Sequence, residues 1–275
     1  MVASLHGGPL GSPGRSPGEK LLRLLMFIAT LRDHGAHRVT AVLPYLAYAR
    51  KDRQTQPFDP VSLRYLAQLF EAVGTSQLMA LEVHNVAAFQ NAFRCPTRHV
   101  EAHAAFDAVV DALVAERPGV PLVVAAPDPG GVKRAQLWRE ALERRLLRPV
   151  GFAMVDKRRS AGLVSSLHLV AGAVADATVL LLDDLIASGD TMTRAAVALR
   201  HAGAREVIAF AAHGLFVDPA AELLADAALA QLVVTDSVPP FRLPSIGRAA
   251  AKLRVASAVP LLASAIRASH DAWLR

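Results

Sequence analysis

The sequence predicts an α/β fold of two tandem units, each built on a parallel sheet covered by helices. Three observations carry this. Apolar runs of strand length alternate with stretches of helical apolar spacing along most of the chain. Runs such as 122–126 (LVVAA) and 178–182 (TVLLL) are continuously apolar, as strands buried on both faces are. The chain has 275 residues, 53% of them hydrophobic, enough for one large core or two smaller ones.

Taken in order, residues 7–18 are all Gly, Pro and Ser apart from Leu10 and Arg15. Such a stretch buries no apolar surface, so a disordered tail is expected over 1–18, with order beginning at Glu19. Leu21, Leu24, Leu25, Ile28 and Leu31 recur at helical spacing, and Gly35 stands where a helix C-cap belongs. Residues 38–43 (RVTAVL) read as a strand ended by Pro44, and 50–58 as a polar, charged loop. Asp59-Pro60 has the form of an N-cap followed by proline at the first helical position, for a helix ending near Gly74. Residues 77–83 (QLMALEV) are the next strand, with His84 just past its end. The same alternation follows: a strand at 122–126, the loop Pro127-Asp128-Pro129-Gly130-Gly131, and a helix to about Leu147. Strands are expected at 150–155, running into Asp156-Lys157-Arg158-Arg159, and at 164–170, 178–182, 206–211 and 232–235. Helices are expected at 191–201, closed by Gly203, and at 259–273. The units are then 19–105 and 106–258, with the terminal helix, 259–275, joining the first.

Lys and Arg outnumber Asp and Glu by 30 to 24, a net charge of +6 that suits a protein handling phosphates. The positive charge is scattered rather than gathered in a stripe and only 5% of residues are aromatic, which argues against nucleic acid as partner. The single cysteine, Cys95, excludes an internal disulfide framework and fits a reducing compartment, where it reads as a plain buried thiol. No apolar run reaches the ~20 residues needed to span a bilayer. The Met1 end lacks a charged region followed by an apolar core. A soluble, cytoplasmic protein with no membrane association is expected.

In parallel sheets the ligand lies off the carboxyl ends of the strands. His84, Asp128, Lys157 and the pair Asp183-Asp184 all fall at such ends. The strongest pattern is 178–191, TVLLLDDLIASGDT. An apolar strand runs into two carboxylates, then a Ser-Gly loop, then a helix. Gly189 lets the backbone fold tightly against an anion, and the N–H groups and dipole of the following helix favour that anion. Ser188 and Thr191 add hydroxyl donors. Asp183 and Asp184 are acceptors for the vicinal hydroxyls of a ribose, or ligands for a metal held there. The plain alternative is a strand-to-helix turn with ordinary capping residues. The other residues have plain readings too: Asp128 as a turn acid, Lys157 to Arg159 as a solvated charge run, the 50–53 cluster as surface ion pairs, and His213 as structural.

The 178–191 segment resembles the signature shared by phosphoribosyltransferases and ribose-phosphate pyrophosphokinases. In that signature Asp183 and Asp184 meet the ribose, and Ala187, Ser188, Gly189, Asp190 and Thr191 hold the 5-phosphate. This chain departs from it at Ala187, where many members carry Asp. Four further segments resemble the pyrophosphokinases in the right order. YLAYARKDR at 45–53 implies Arg50 and Lys51 as ATP-binding residues, although the family more often has Gln at the Lys51 position. MALEVHN at 79–85 and VVAAPDPGGVKRA at 123–135 imply His84 and Asp128 at a Mg²⁺ site. DKRR at 156–159 implies Lys157 and Arg159 as the catalytic cations. FAAHGLF at 210–216 is a fifth, less specific match. The resemblance implies two tandem phosphoribosyltransferase-like units, the first truncated. It implies transfer of the pyrophosphoryl group of ATP to ribose 5-phosphate by a homo-oligomer, with dimers building a hexamer. Nothing in 1–18 resembles the Phe-x-Asp-Gly-Glu segment that family members carry near their start. A regulatory homologue without activity therefore stays open beside the working enzyme, with a phosphoribosyltransferase third.

Overall fold

The structure, a computed structural model, describes residues 1–8, 16–157 and 168–273. The chain divides into two compact units, Met1–Ala104 with Ser257–Arg275, and Ala105–Ala256. The first unit begins with α1 (Pro17–Asp33), β1 (Thr40–Leu43), α2 (Ser62–Ala72), β2 (Gln77–Leu81), α3 (Val86–Ala92) and β3 (Thr97–Val100). The second contains α4 (Asp107–Glu116), β4 (Leu122–Ala126), α5 (Val132–Leu146), β5 (Gly151–Lys157), β6 (His168–Ala171), β7 (Thr178–Ile186) and α6 (Asp190–His201). It ends with β8 (Glu206–Gly214), α7 (Ala220–Leu223), β9 (Gln231–Thr235), α8 (Arg248–Lys252) and β10 (Leu253–Ala256). Helix α9 (Val259–Trp273) returns to the first unit.

In the first unit the strands form a parallel sheet in the order β1-β2-β3. Helix α1 starts with a capping box: Ser16 Oγ accepts from Glu19 N (3.2 Å) while Ser16 N donates to the Glu19 carboxylate (2.5 Å). A cap of this kind stabilises a helix by roughly 1 kcal/mol. Leu21, Leu24, Leu25 and Ile28 face the core, as their spacing predicts. The expected tail over 1–18 is corrected at both ends, because α1 already begins at Pro17 and residues 1–5 run beside β1. There Val42 N donates to Met1 O (2.8 Å), Ala3 N to Val42 O (3.0 Å) and Leu5 N to Tyr45 O (3.0 Å), and Leu5 is fully buried. The Gly/Pro composition of 7–18 concealed the apolar residues before it. These residues occupy a sheet edge that would otherwise present unpaired backbone groups. Residues 9–15 lie outside the described residues.

Helix α2 begins at Ser62, not at Asp59-Pro60. The Asp59 carboxylate turns back into the preceding loop, where it pairs with the Lys51 ammonium and accepts from Thr55 N (3.1 Å), Thr55 Oγ1 (2.7 Å) and Gln56 N (2.9 Å). Four local donors, one of them charged, outcompete the orphan N–H groups of a helix end. Together they hold Asp59 far below the usual carboxylate range, Lys51 contributing most.

The second unit is a seven-stranded sheet in the order β10-β9-β8-β7-β4-β5-β6. All neighbours are parallel except β6, which runs antiparallel to β5 with Lys157 opposite His168. Ten residues, 158–167, join those two strands, and a parallel return needs a dozen or more. One core lies beneath α6 and includes Val179, Leu181, Ala195, Leu199 and Leu232. The other lies beneath α4 and α5, around Phe106, Trp138 and Phe210, which pack edge to face at centroid distances of 5.0 to 6.0 Å. The sheet order reverses between β4 and β7: the chain leaves β4 for β5 on one side and comes back as β7 on the other. That is the switch point at which open α/β sheets bind ligands.

Candidate active site

The turn from β7 to α6 is built by one backbone conformation. Gly189 is the N-cap of α6 at φ +86°, in the left-handed region. A Cβ there would also stand 2.8 Å from Leu224 Cγ and Cδ2, so only glycine fits without displacing that neighbour. The N-cap Gly189 has no side chain with which to cap α6. Asp190 N is 3.5 Å from Ser188 Oγ, a weak contact that an incoming anion can replace. The Asp190 carboxylate pairs with Arg194 one turn on, so this acid faces a cation of its own helix. Ala187, Ser188, Asp190 and Thr191 are half-buried and Gly189 is buried. A loop of N–H groups, two hydroxyls and a helix dipole can take a phosphate.

The acids that precede it lie inside the strand, not beyond it. β7 runs to Ile186, four residues past the expected end, because its pairing with β8 continues to Ile186↔Gly214. Asp184 is buried and Asp183 nearly so, and Asp184 N donates to Asp183 Oδ1 at 2.8 Å. Burial first, and the Asp184 carboxylate second, raise Asp183 well above the usual carboxylate range, against an opposing pull from Arg134. Arg134 Nη1 stands 3.7 Å from Asp183 Oδ1 and 3.8 Å from Asp184 Oδ1. A buried carboxylate raised in this way, beside a second acid, welcomes whatever offsets its charge, such as donating hydroxyls or a cation. Arg134 had no reading in the sequence; its signal was a position just inside the helix that follows Asp128.

Asp128 stands two residues past β4, the neighbour of β7, and its Oδ1 accepts from Gly130 N (2.9 Å) in the turn before α5. Lys157 is the last residue of β5, the neighbour of β4 on the other side. Asp183-Asp184 within β7, Asp128 just past β4 and Lys157 at the end of β5 therefore belong to three consecutive strands, the first two flanking the switch point. Arg159 lies outside the described residues.

The remaining candidates stand together in the first unit. Arg50 is exposed after β1, and Lys51 is engaged with Asp59 and with Thr55 Oγ1 (3.0 Å). His84 is exposed after β2. Asn85 Nδ2 donates to Asp52 Oδ2 (2.7 Å), tying the two segments side by side at the ends of adjacent strands. Each segment is entered through left-handed backbone, at Tyr48 (φ +64°) two residues before Arg50 and at Glu82 (φ +35°) two before His84. Such conformations persist where surroundings over-determine them, commonly at functional sites. At Glu82 the carboxylate is buried, accepts from Ala102 N (2.9 Å) and lies 3.7 Å from His99 Nε2. Asp52, Asn85 and Glu82 fix the shape of these two segments, and sequence pattern did not single them out. Among the described residues no cluster of three or more His, Cys, Asp or Glu could hold a metal ion.

Residues 8–74 match a family model described as the N-terminal domain of ribose phosphate pyrophosphokinase, and residues 164–273 match one described as the phosphoribosyl synthetase-associated domain. The ribose-phosphate pyrophosphokinase of Haemophilus ducreyi is 34% identical over 250 residues, covering 90% of this chain and 75% of that protein. That of Caulobacter vibrioides is 35% identical over 255 residues, covering 90% and 76%. The crystal structure of phosphoribosylpyrophosphate synthetase from Mycobacterium smegmatis aligns with a TM-score of 0.80 at 30% identity, covering 98% of this chain and 81% of that one.

Proposed function

This chain belongs to the ribose-phosphate pyrophosphokinase family, and from that premise we propose that it transfers the pyrophosphoryl group of ATP to the 1-hydroxyl of ribose 5-phosphate. The products are 5-phosphoribosyl 1-pyrophosphate and AMP. The observation that carries the reading is the β7–α6 turn: a left-handed glycine, a helix without a side-chain cap, and two buried acids leading into it. In this reading Ala187 to Thr191 hold the 5-phosphate through backbone N–H groups and the Ser188 and Thr191 hydroxyls. Asp183 and Asp184 accept from the ribose hydroxyls and so orient the ring.

The 1-hydroxyl oxygen forms a bond to the β-phosphorus as the bond from that phosphorus to the α-phosphate oxygen breaks. AMP departs and the hydroxyl proton passes to solvent. Positioning and charge neutralisation supply most of the rate in such transfers. Lys157 and Arg159 are assigned to the transferring group. Arg50 is assigned to the nucleotide, while Lys51 shapes the same loop through its pair with Asp59. Mg²⁺ is the implied cation. Asp128 would offer it hard carboxylate oxygens, with nucleotide phosphates and water as further ligands, so no all-protein cage would be needed. His84 is a softer donor, suited to act through water rather than as a direct ligand of so hard a cation. The ion would neutralise phosphate charge. The assignment extends to a homo-oligomer of dimers forming a hexamer, supported by the exposed Leu22, Met26 and Phe27 on α1. It extends to a cytoplasmic setting, supported by the single cysteine. No described helix is long and apolar enough to cross a membrane.

The test is AMP release from Mg-ATP by the purified chain with and without ribose 5-phosphate. Release that depends on the sugar phosphate is expected; none, or release indifferent to it, removes the proposal. Lys157→Ala should lower turnover by about two to four orders of magnitude, the scale of removing a transition-state stabiliser. Near-parental turnover would strip Lys157 of its role.

A further inference from the structure

The phosphate loop is held from outside itself. Leu215 N (2.9 Å) and Phe216 N (3.2 Å) both donate to Ile186 O, and Val217 N donates to Ala187 O (3.1 Å). These donors sit on a corner that its own backbone resists. Phe216 is buried at φ +48°, a left-handed conformation unfavourable for a bulky side chain. Gly214 precedes it because a Cβ there would come within 2.4 Å of the Phe216 ring.

A strained corner persists only if its surroundings over-determine it, and here a buried polar cluster stands directly before it. His213 is buried, with Nδ1 2.8 Å from Ser237 Oγ. Ser237 Oγ donates to Ala212 O (3.1 Å), and Thr235 Oγ1 donates to the same carbonyl (2.6 Å) while accepting from Ser237 N (3.2 Å). Thr235 Oγ1 also lies within hydrogen-bond distance of Ser237 Oγ (2.8 Å), so the imidazole and the two hydroxyls form one hydrogen-bonded cluster. Past the corner, Arg242 Nη1 donates to Leu215 O (3.0 Å). Backbone positions from Ala212 to Val217 are thus tied on one side to β9 and the segment after it, and on the other to the phosphate loop.

We propose that His213, acting through Ser237 and Thr235, is a positioning residue for the sugar-phosphate loop. The imidazole–hydroxyl cluster holds the 214–217 corner, and the corner holds Ile186 and Ala187 where the α6 N–H groups aim at the phosphate. The proposal rests on the reading of Ala187 to Thr191 as the ribose 5-phosphate site. Its signature is selectivity: loosening the corner weakens the sugar phosphate and spares ATP. General loss of folding would weaken both.

Three variants, His213→Phe, His213→Asn and Ser237→Ala, decide it through the KM of each substrate measured separately. His213→Phe keeps the ring volume and removes the bond to Ser237. It should raise the KM for ribose 5-phosphate about tenfold, equivalent to about 1.4 kcal/mol, with the KM for ATP within about twofold of the parent. His213→Asn places an amide where Nδ1 stands and should return the sugar-phosphate KM to within about threefold of the parent, the residue of one imperfect hydrogen bond. Faster amide hydrogen exchange at residues 187–190 should accompany the Phe variant. A folded His213→Phe with an unchanged sugar-phosphate KM overturns the proposal, as does an equal rise in both constants or an Asn variant as impaired as Phe. Should His213→Phe fail to fold, Ser237→Ala is judged by the same split between substrates. Calorimetry with ribose 5-phosphate separates the layers. A parent that does not bind it sinks the loop reading and the proposal with it, whereas a binding parent with indifferent variants sinks the proposal alone.

Discussion

Asp183 and Asp184 carry opposed demands. Ribose hydroxyls call for charged acceptors, while burial beside one another penalises the charge. Because Asp183 is raised above its ordinary 3.8, the folded chain binds more protons than the unfolded one from pH 3.8 up to the raised value. Stability from this group is therefore fully present at low pH and declines as pH rises through the raised value. Asp183→Asn removes that penalty. The variant should unfold at a higher urea concentration than the parent near pH 8, with the gap closing toward pH 4, while its KM for ribose 5-phosphate rises about tenfold or more for loss of a charged acceptor. A stability gap of equal size at both pH values would contradict the sign. At this scale the acids, the Ser-Gly pair and His84 could be singled out as candidates, because each has a chemistry of its own. Arg134, Glu82 and the pairing of Lys51 with Asp59 were not. A cation or an acid on a helix or in a loop has many fates, and only its neighbours choose among them.

The β7–α6 turn is the element on which the proposed binding depends. Gly189 meets two demands at once, a left-handed backbone and the space beside Leu224. Gly189→Ala should destabilise the fold by about 1–2 kcal/mol from the backbone term and lower ribose 5-phosphate affinity about tenfold, read by melting and by calorimetry. Adding Leu224→Ala relieves the contact but not the φ penalty, and it empties a fully buried site, so it should recover only part of the affinity and none of the stability. Full recovery would mean that the contact alone required glycine. Element limits were less legible than element types. β7 outruns its apolar stretch because β8 continues beside it, so pairing rather than hydropathy sets its end. α2 starts late because Asp59 found donors nearer than a helix N-terminus. β6 reverses because its connection is too short for a crossover. The short strands β3 and β10 carry little apolar signal and exist through their partners.

Across the whole molecule, the candidate nucleotide residues stand in the first unit and the candidate sugar-phosphate loop in the second. The opening residues belong to the first unit's core. Leu5→Ala should cost about 2–3 kcal/mol of stability by leaving a cavity beneath α1 and β1, measured by chemical denaturation. Ribose 5-phosphate binding should survive, since the loop lies in the other unit. An unchanged unfolding midpoint would show that residues 1–5 do not contribute to that core. Fold class, the order of most strands and helices, and the candidate phosphate loop could be read directly from the chain, because apolar periodicity, glycine conformation and helix-end donors are local properties carried by consecutive residues. Which strands became neighbours, where the sheet reverses so that Asp128 flanks the acid pair, and how a strained corner at Phe216 came to brace the loop could not. Those depend on contacts between residues far apart in sequence, whose energies appear only once the sheet has assembled.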